Sequence, residues 1–456
     1  MQAQAKARMR DQAERRAAAE ADRLTAEGVH GIALTWVDNA GITRVKTVPT
    51  GRLAHTARWG VGMSPVFDVY LVDDSMTTSR HVGGPDGDLR LFPDLDRLTV
   101  LAAQPGWAWA PVDRCYQTDE PYPVCQRLFA ARMTERAAAR GLRLRMGFET
   151  EWVVARADTE GPDLRCPGTG PAYGMARLVE LSAYLGEVRD ALLAEQVDVL
   201  QLHPEYARGQ FEVSTAAADP VGAADLAVLV RETIRAVSAR HGLVALFAPV
   251  VEPGAVGNGR HLHLSPWQED RNLCQGGDGP FGMASTCEAF LAGVLRELPA
   301  LLAIGAPSPA SHLRLEPSRW AGAFQCWGLE NREAALRFIT GSPQDPAAAN
   351  AEVKCFDGAA NPYLVVGSVI AAGLAGIDDS LRLPEPVSGD PAEQGAHPRL
   401  PTSPQESSQH FERSAVLREA LGEPLFEAVA AVRRAEAELF EDVPPQEVAA
   451  ATRGRY

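Results

Sequence analysis

Four short segments of this chain place charged or imidazole side chains two residues apart, the period at which side chains of an extended strand share one face. In Arg145-Met146-Gly147-Phe148-Glu149-Thr150-Glu151-Trp152 the even positions are mostly apolar, so Glu149 and Glu151 project together from the opposite face. His261, His263 and Ser265 share a face against Leu262 and Leu264, and Glu352 pairs with Lys354 in the same way. Gln210 to Ser214 adds Glu212, with Glu205 shortly before it in His203-Pro204-Glu205-Tyr206. A single pair of this kind ordinarily marks a solvated sheet face. The conjunction asks for more, because carboxylates on neighbouring strands repel unless a cation lies between them. Glutamates with one or two imidazoles suit Mg2+ or Mn2+ better than zinc or copper. Beside such a face Arg314, Arg332, Arg337 and Lys354 become candidates for holding phosphate and carboxylate oxygens, which match a guanidinium fork. The chain has no GxxxxGK[ST] loop and no GxSxG elbow, so a nucleotide must be held by other means.

The elements that must position these groups follow from the same pattern. Gln2 to Gly28, rich in Ala and Arg with interspersed acids, reads as an exposed leading helix and lacks the apolar region of a secretory signal. His30 to Val37 alternates, Asp38-Asn39-Ala40-Gly41 supplies hairpin-turn chemistry, and Ile42 to Val48 resumes the alternation. Leu89 to Phe92, Thr99 to Ala103 and Trp107 to Val112 add short strands to a small β-rich unit ending near Gln117 to Pro123. After a helix over Val124 to Arg140, strands are predicted at Leu142 to Ala155, Gln210 to Ser214, Arg260 to Ser265, Ala334 to Ile339 and Ala351 to Phe356. Helices over Met175 to Gln196, Val221 to Gly242, Ser285 to Leu302 and Pro362 to Ala375 interleave with them. Leu383 to Pro404 reads as a long loop before further helices.

Bulk composition bounds the function. A chain of 456 residues, 46% hydrophobic and 23% charged, is a globular protein of two or three domains. Its net charge of −15 argues against the basic face of a nucleic-acid binder. No apolar run approaches a bilayer span. The 7 cysteines are odd in number, scattered and never spaced as CxxC, which suits reduced thiols in the cytoplasm.

Glu149-Thr150-Glu151, Gly209-Gln210-Phe211-Glu212, His261-Leu262-His263-Leu264-Ser265, Glu330-Asn331-Arg332 and Ala360-Asn361-Pro362-Tyr363-Leu364 together resemble, in order, the motifs of the glutamine synthetase family. The resemblance covers nearly the whole chain. It implies an α+β fold, with an N-terminal helix (1–28), a β-grasp domain (29–120) and a C-terminal catalytic domain (121–456). The catalytic domain is expected to hold a curved antiparallel sheet with flanking helices, shaped as a two-metal funnel. The resemblance implies ATP and Mg2+ (or Mn2+) as cofactors, with Glu151, Glu205 and Glu212 binding one metal and Glu149, His261 and Glu352 the other. Arg314 matches the clamp on the glutamate α-carboxylate, and Gly257 is a position of the substrate site. Ser265 and His263 lie where the nucleotide packs, and Arg332 and Arg337 match phosphate-binding arginines. Lys354 stands where the family carries an arginine at the transferred phosphoryl group, keeping the charge and losing the fork. A homo-oligomer is implied as well, a dodecamer of two stacked hexameric rings with each active site at a subunit boundary.

The chemistry of such a site is carboxylate activation. An amine cannot displace oxide from a carboxylate, so ATP first makes γ-glutamyl phosphate, whose phosphate can leave. Ammonium-using members carry an Asp-Gly-Ser-Ser run in the first domain and a flap glutamate six residues after the arginine matched by Arg314. Here those places hold Gly62-Met63-Ser64-Pro65-Val66 and Trp320. With Trp320-Ala321-Gly322 and Cys326-Trp327-Gly328, the chain most resembles the γ-glutamylpolyamine synthetase-type ligases of actinobacteria. The function expected is ligation of the glutamate γ-carboxylate to an amine, a polyamine favoured. Trp320 could meet an alkyl chain or an ammonium through its ring, or simply shape the flap. Glu316, or an acid of a neighbouring first domain such as Asp68, is a candidate to accept the proton, ahead of Asp73-Asp74. The alternatives are a conventional glutamine synthetase with a rewired ammonium site and a catalytically idle regulatory paralogue, the latter disfavoured by the six intact metal positions.

Overall fold

Alternation in the first hundred residues folds into a sheet whose centre is parallel and whose edges are antiparallel. A computed structural model describes residues 2–157 and 164–456. Strands β1 (Gly31–Val37) and β2 (Thr43–Pro49) form the expected hairpin, closed by Gly41 at φ +84°. Strands β3 (Val61–Met63), β4 (Leu89–Pro93), β5 (Thr99–Val100) and β6 (Trp107–Tyr116) complete the order β2-β1-β6-β4-β3, with β5 on β6 and β1 parallel to β6. The strand expected over Thr99 to Ala103 therefore shrinks to two residues. Between β2 and β3 lies a helix, Leu53–Trp59, that its short, weakly patterned sequence does not announce.

The leading helix, Gln2–Ala26, is not simply exposed. Ala17 and Leu24 are fully buried, and the helix packs on Leu53–Trp59, with Arg58 reaching Asp11 at 2.6 Å. The 3₁₀ turn Pro65–Val69 carries Asp68 inward, where it meets Arg114 at 2.8 Å with both side chains buried. Gln126 Nε2 donates to Asn39 Oδ1 at 2.7 Å and to Asp68 Oδ1 at 3.1 Å, closing a buried polar cluster beneath the hairpin turn.

The second sheet runs β13-β14-β15-β11-β7-β9-β8. Its strands are β7 (Arg143–Arg156), β8 (Val199–Pro204), β9 (Gln210–Thr215), β10 (Leu243–Leu246), β11 (Leu262–Gln268), β12 (Arg271–Asn272), β13 (Phe324–Leu329), β14 (Ala334–Ile339) and β15 (Asn350–Val353); β10 pairs with β7 and β12 with β11. All pairs are antiparallel except β13–β14, which is parallel, so the expected antiparallel sheet has one parallel edge pair. Helices cover the sheet. The helix predicted over Met175 to Gln196 breaks at Leu181 into Met175–Glu180 and Ser182–Ala194, and the long loop after Leu383 holds a short helix, Pro391–Gln394.

Helix Pro362–Asp378 is apolar almost all round and buried accordingly, packed on Ser285–Gly305. Glycines permit that approach, since a Cβ on Gly293 would lie 2.7 Å from Gly376 Cα. Asn361 caps the helix by accepting from Tyr363 N at 3.0 Å and Leu364 N at 3.2 Å, and its amide donates to Val37 O and Asp38 O of the first sheet. One side chain thus starts a helix and ties it to the first sheet.

Removing one member of a buried ion pair strands the other charge in the interior. Arg114→Ala is expected to cost about 3–5 kcal/mol of stability, read by denaturant unfolding.

Candidate active site

The groups singled out by their spacing lie on two rungs across the second sheet. On the first, His203 of β8 is opposite Glu212 of β9, which is opposite Glu151 of β7. On the second, Gly147 of β7 is opposite His263 of β11, then Glu352 of β15, then Arg337 of β14. Glu149 sits between the rungs, and its N–H donates to the carbonyl of His261, just ahead of β11. Because side chains alternate with period two, a one-residue slip of any strand would send its member to the other face.

Two clusters of metal-binding donor atoms result among the described residues, each within 4.8 Å: Glu149 with His261 and Glu352, and His203 with Glu205 and Glu212. The first holds the three residues expected together. The second differs from expectation, because His203 takes the place given to Glu151. Glu151 Oε2 accepts from Gln210 Nε2 at 3.0 Å and Gly259 N at 2.9 Å, while its Oε1 lies 3.9 Å from His261 Nε2, between the clusters. His203 is the neighbour that periodicity does not single out, since β8 shows no clean alternation of buried and exposed positions.

The charges explain the protonation preferences. Burial, then Glu151 and Glu212, push the Glu205 carboxyl up to about 7. The bond to Glu212, at 3.3 Å, lifts His203 to about 9 against the opposing effect of burial. Burial also opposes charge on His263, but Glu149, 3.2 Å from its Nε2, raises it to about 9. Burial works against ionised Glu149 and Glu352 too, yet His261 and His263 hold the first below the usual carboxylate range, and Lys354 with His261 holds the second well below it. Imidazolium and ammonium groups thus supply counter-charge to acids that would otherwise repel. Hard oxygen donors with one imidazole per cluster are a fitting set for Mg2+ or Mn2+.

The cationic residues border this strip. Lys354 Nζ is 3.2 Å and Arg337 Nη1 3.1 Å from the two oxygens of Glu352. Arg314 is buried; its Nη2 reaches His261 Nε2 at 3.1 Å and Lys354 O at 3.2 Å, and its Nη1 has no partner among the described residues. Gly257 lies against it, where a Cβ would come within 3.0 Å of Arg314 Cγ. Ser265 continues the His263 face and accepts from Trp267 Nε1 at 2.8 Å. Gly277, Gly279 and Gly282 have GxGxxG spacing before a helix, but they follow β12, in an antiparallel hairpin, and so lack the βαβ setting of a dinucleotide loop.

On the amine side the outcomes diverge. Trp320 is 58% exposed, Arg332 is exposed with its guanidinium 6.0 Å from the Trp320 ring centre, and Glu316 is exposed four residues earlier. Arg332 therefore stands with the aromatic ring and not against the carboxylate strip. Asp68 is fully buried against Arg114 in its own chain and cannot serve as the proton acceptor of a neighbouring site. Asp74 is engaged by Arg44 at 2.9 Å and Arg455 at 2.7 Å, a structural role.

This fold and site belong to a known lineage. Residues 123–450 match the family described as "Glutamine synthetase, catalytic domain". The chain is 56% identical to the gamma-glutamylpolyamine synthetase GlnA3 of Streptomyces coelicolor over 97% of both chains, and 28% identical to a glutamine synthetase of Pyrococcus abyssi over 86% of this chain and 87% of that one. Among solved structures, a glutamine synthase homologue superposes with a TM-score of 0.85 at 30% identity, covering 94% of this chain and 99% of that chain. A GmaS–ADP complex superposes with a TM-score of 0.81 at 26% identity, covering 93% and 96%. The chain belongs to the glutamine synthetase family and is a ligase of α+β architecture. No helix among the described residues is long and apolar enough to cross a membrane.

Metal and protons compete for the same donors. His203 and His263 titrate near 6.5 when unfolded and near 9 when folded, so their stabilisation is complete below pH 6.5 and lost as pH rises through 9. Glu205, raised from 4.5 to about 7, acts in the same direction from a lower pH. Metal binding needs ionised carboxylates and neutral imidazoles, so it has the opposite pH dependence. In scanning fluorimetry the Tm of chelator-treated protein is expected to fall between pH 6.5 and 9, while the increment on adding Mn2+ grows and Glu352→Gln diminishes it. An increment indifferent to pH and to that substitution would count against a cation at these clusters.

Proposed function

We propose that this chain is an ATP-dependent ligase that joins the γ-carboxylate of glutamate to an amine, with a polyamine as the preferred substrate. The observation that carries the reading is the strip of carboxylate and imidazole donors running directly into buried Arg314 and Lys354 and half-buried Arg337. Such a strip suits a reaction that gathers phosphate, carboxylate and metal charge in one place. Its high identity to a protein named for γ-glutamylpolyamine synthesis, together with an aromatic ring where ammonium-using relatives have an acid, supports an amine larger than ammonia.

In this reading Glu149, His261 and Glu352 hold one divalent cation, and Glu205 and Glu212 hold another, with His203 and Glu151 at their margin. Bound Mg2+ or Mn2+ would neutralise and polarise phosphoryl oxygens. The partnerless Nη1 of Arg314 takes the α-carboxylate of glutamate beside Gly257. ATP packs along His263 and Ser265, and Arg337 faces its phosphates, joined by Arg332 once that side chain leaves the Trp320 ring. The γ-carboxylate oxygen attacks the terminal phosphorus and ADP departs, with Lys354 and Arg337 offsetting the charge in transfer. The neutral amine nitrogen then attacks the acyl carbon, the C–O bond to phosphate breaks, and Glu316 accepts the proton that nitrogen sheds. The same reading takes 29–120 as a β-grasp unit, 121–456 as the catalytic unit and the active protein as a cytoplasmic dodecamer of two stacked hexameric rings. The edge strand β8 and exposed Leu200, Met175 and Val179 offer apolar surface for such an assembly to cover.

The test is glutamate-dependent phosphate release from ATP with ammonium, ethanolamine, putrescine, spermidine and spermine in parallel. Turnover with one or more polyamines is expected, with Glu352→Gln lowering kcat by about 100-fold or more and Glu316→Gln shifting the pH profile. Activity with ammonium alone would replace this reading with an ordinary glutamine synthetase, and silence with every amine would favour a regulatory paralogue.

A further inference from the structure

The turn that carries Trp320 is held in place with more hydrogen bonding than an exposed turn needs. Ser318 and Trp320 both adopt left-handed backbone conformations, φ +57° and +55°, which are costly for residues with side chains. The turn is seated directly on the catalytic sheet, since a Cβ on Gly322 would lie 2.9 Å from Ala335 Cα and 3.2 Å from Lys354 Cβ. Its tethers form a closed circuit. The Trp320 N–H donates to Glu333 Oε1 at 2.7 Å, and the Glu333 N–H donates to Asn331 Oδ1 at 3.0 Å. The Asn331 amide donates to Val387 O at 3.0 Å and Gly389 O at 2.9 Å, and Asp390 Oδ2, next along, accepts from Ser318 Oγ at 2.7 Å.

Glu333 is only 7% exposed, and its carboxylate is held by the backbone of the turn, through Trp320 and Ser318. An internal carboxylate without a salt bridge among the described residues is expensive, and here it fastens a backbone whose side chain is mostly exposed. Folding gains little from an indole left 58% exposed, so the fastening serves the ring's position and not the core. The ring's face already attracts a cation, the guanidinium of Arg332 at 6.0 Å.

We propose that Glu333 is a positioning residue that fixes the Trp320 turn as the wall against which the cationic amine docks, making the Glu333–Trp320 pair the determinant of amine selectivity. The inference rests on the ligase reading above and deepens it. Glu333 does not touch the reacting atoms; it acts through the geometry of its neighbour's backbone.

The experiment measures KM and kcat for spermidine, glutamate and ATP in Glu333→Ala, Glu333→Gln, Trp320→Ala and the Glu333→Ala/Trp320→Ala double variant, each checked for a wild-type melting profile. Glu333→Ala is expected to raise the spermidine KM about tenfold, the scale of one cation–aromatic contact, while the KM values for glutamate and ATP stay within about twofold and kcat changes little. Glu333→Gln, whose amide oxygen can still accept from Trp320 N–H, restores most of the spermidine KM. The double variant is no worse than Trp320→Ala alone, as residues acting through one another require. An unchanged spermidine KM in Glu333→Ala, equal losses for all three substrates, or an additive double variant would overturn the inference while leaving the ligase reading intact. Wild-type protein that turns over no amine larger than ammonium would overturn both.

Discussion

Like charge forced together on one sheet face is the constraint around which this molecule is arranged. The registers of β8, β9, β7, β11 and β15 bring Glu212, Glu151, Glu149 and Glu352 onto neighbouring positions, with Glu205 just beyond the end of β8. Left alone, buried carboxylates at that spacing would protonate or push the strands apart. The sequence answers with His203, His261, His263, Lys354 and Arg337, each within 3.3 Å of a glutamate oxygen. Strand order, bonding pattern and the helices that clamp the sheet from behind all serve to keep those distances.

Much of this was legible in the sequence, because local period reports which face a side chain occupies. The alternation around Glu149, His263 and Glu352 predicted the shared face, and the turn chemistry at Asp38 to Gly41 predicted the first hairpin. Period does not report partners. His203 lies on an edge strand with mixed exposure, so nothing local separates it from a solvated histidine. Glu333 reads as part of a charged turn in Asn331-Arg332-Glu333, and only the folded chain shows its carboxylate under the backbone of Trp320. Asp68 erred the other way: an acid in a loop reads as exposed, while a 3₁₀ turn rotates it onto Arg114. The break at Leu181 and the buried face of the leading helix are likewise tertiary outcomes that helix propensity does not encode.

The two ends of the site follow different logics. Along the carboxylate strip charge is concentrated and largely paired, a rigid arrangement suited to a reaction whose main demand is electrostatic. Around Trp320 the surface is aromatic and open, exposed Glu316 and Arg332 flank the ring, and shape is set by backbone tethers. A cationic group arriving there would meet an aromatic ring, as the guanidinium of Arg332 already does.

The histidines and the lysine beside the glutamates have a consequence for the order of events in the cell. Because the protein brings its own counter-ions, the nascent chain can reach its native topology before encountering any divalent ion. If the two clusters take divalent cations, folding and metal loading are then separable steps. Scarce cation would then lower the working fraction and, through the binding energy lost, the stability of each copy, without removing the charge balance that holds the fold.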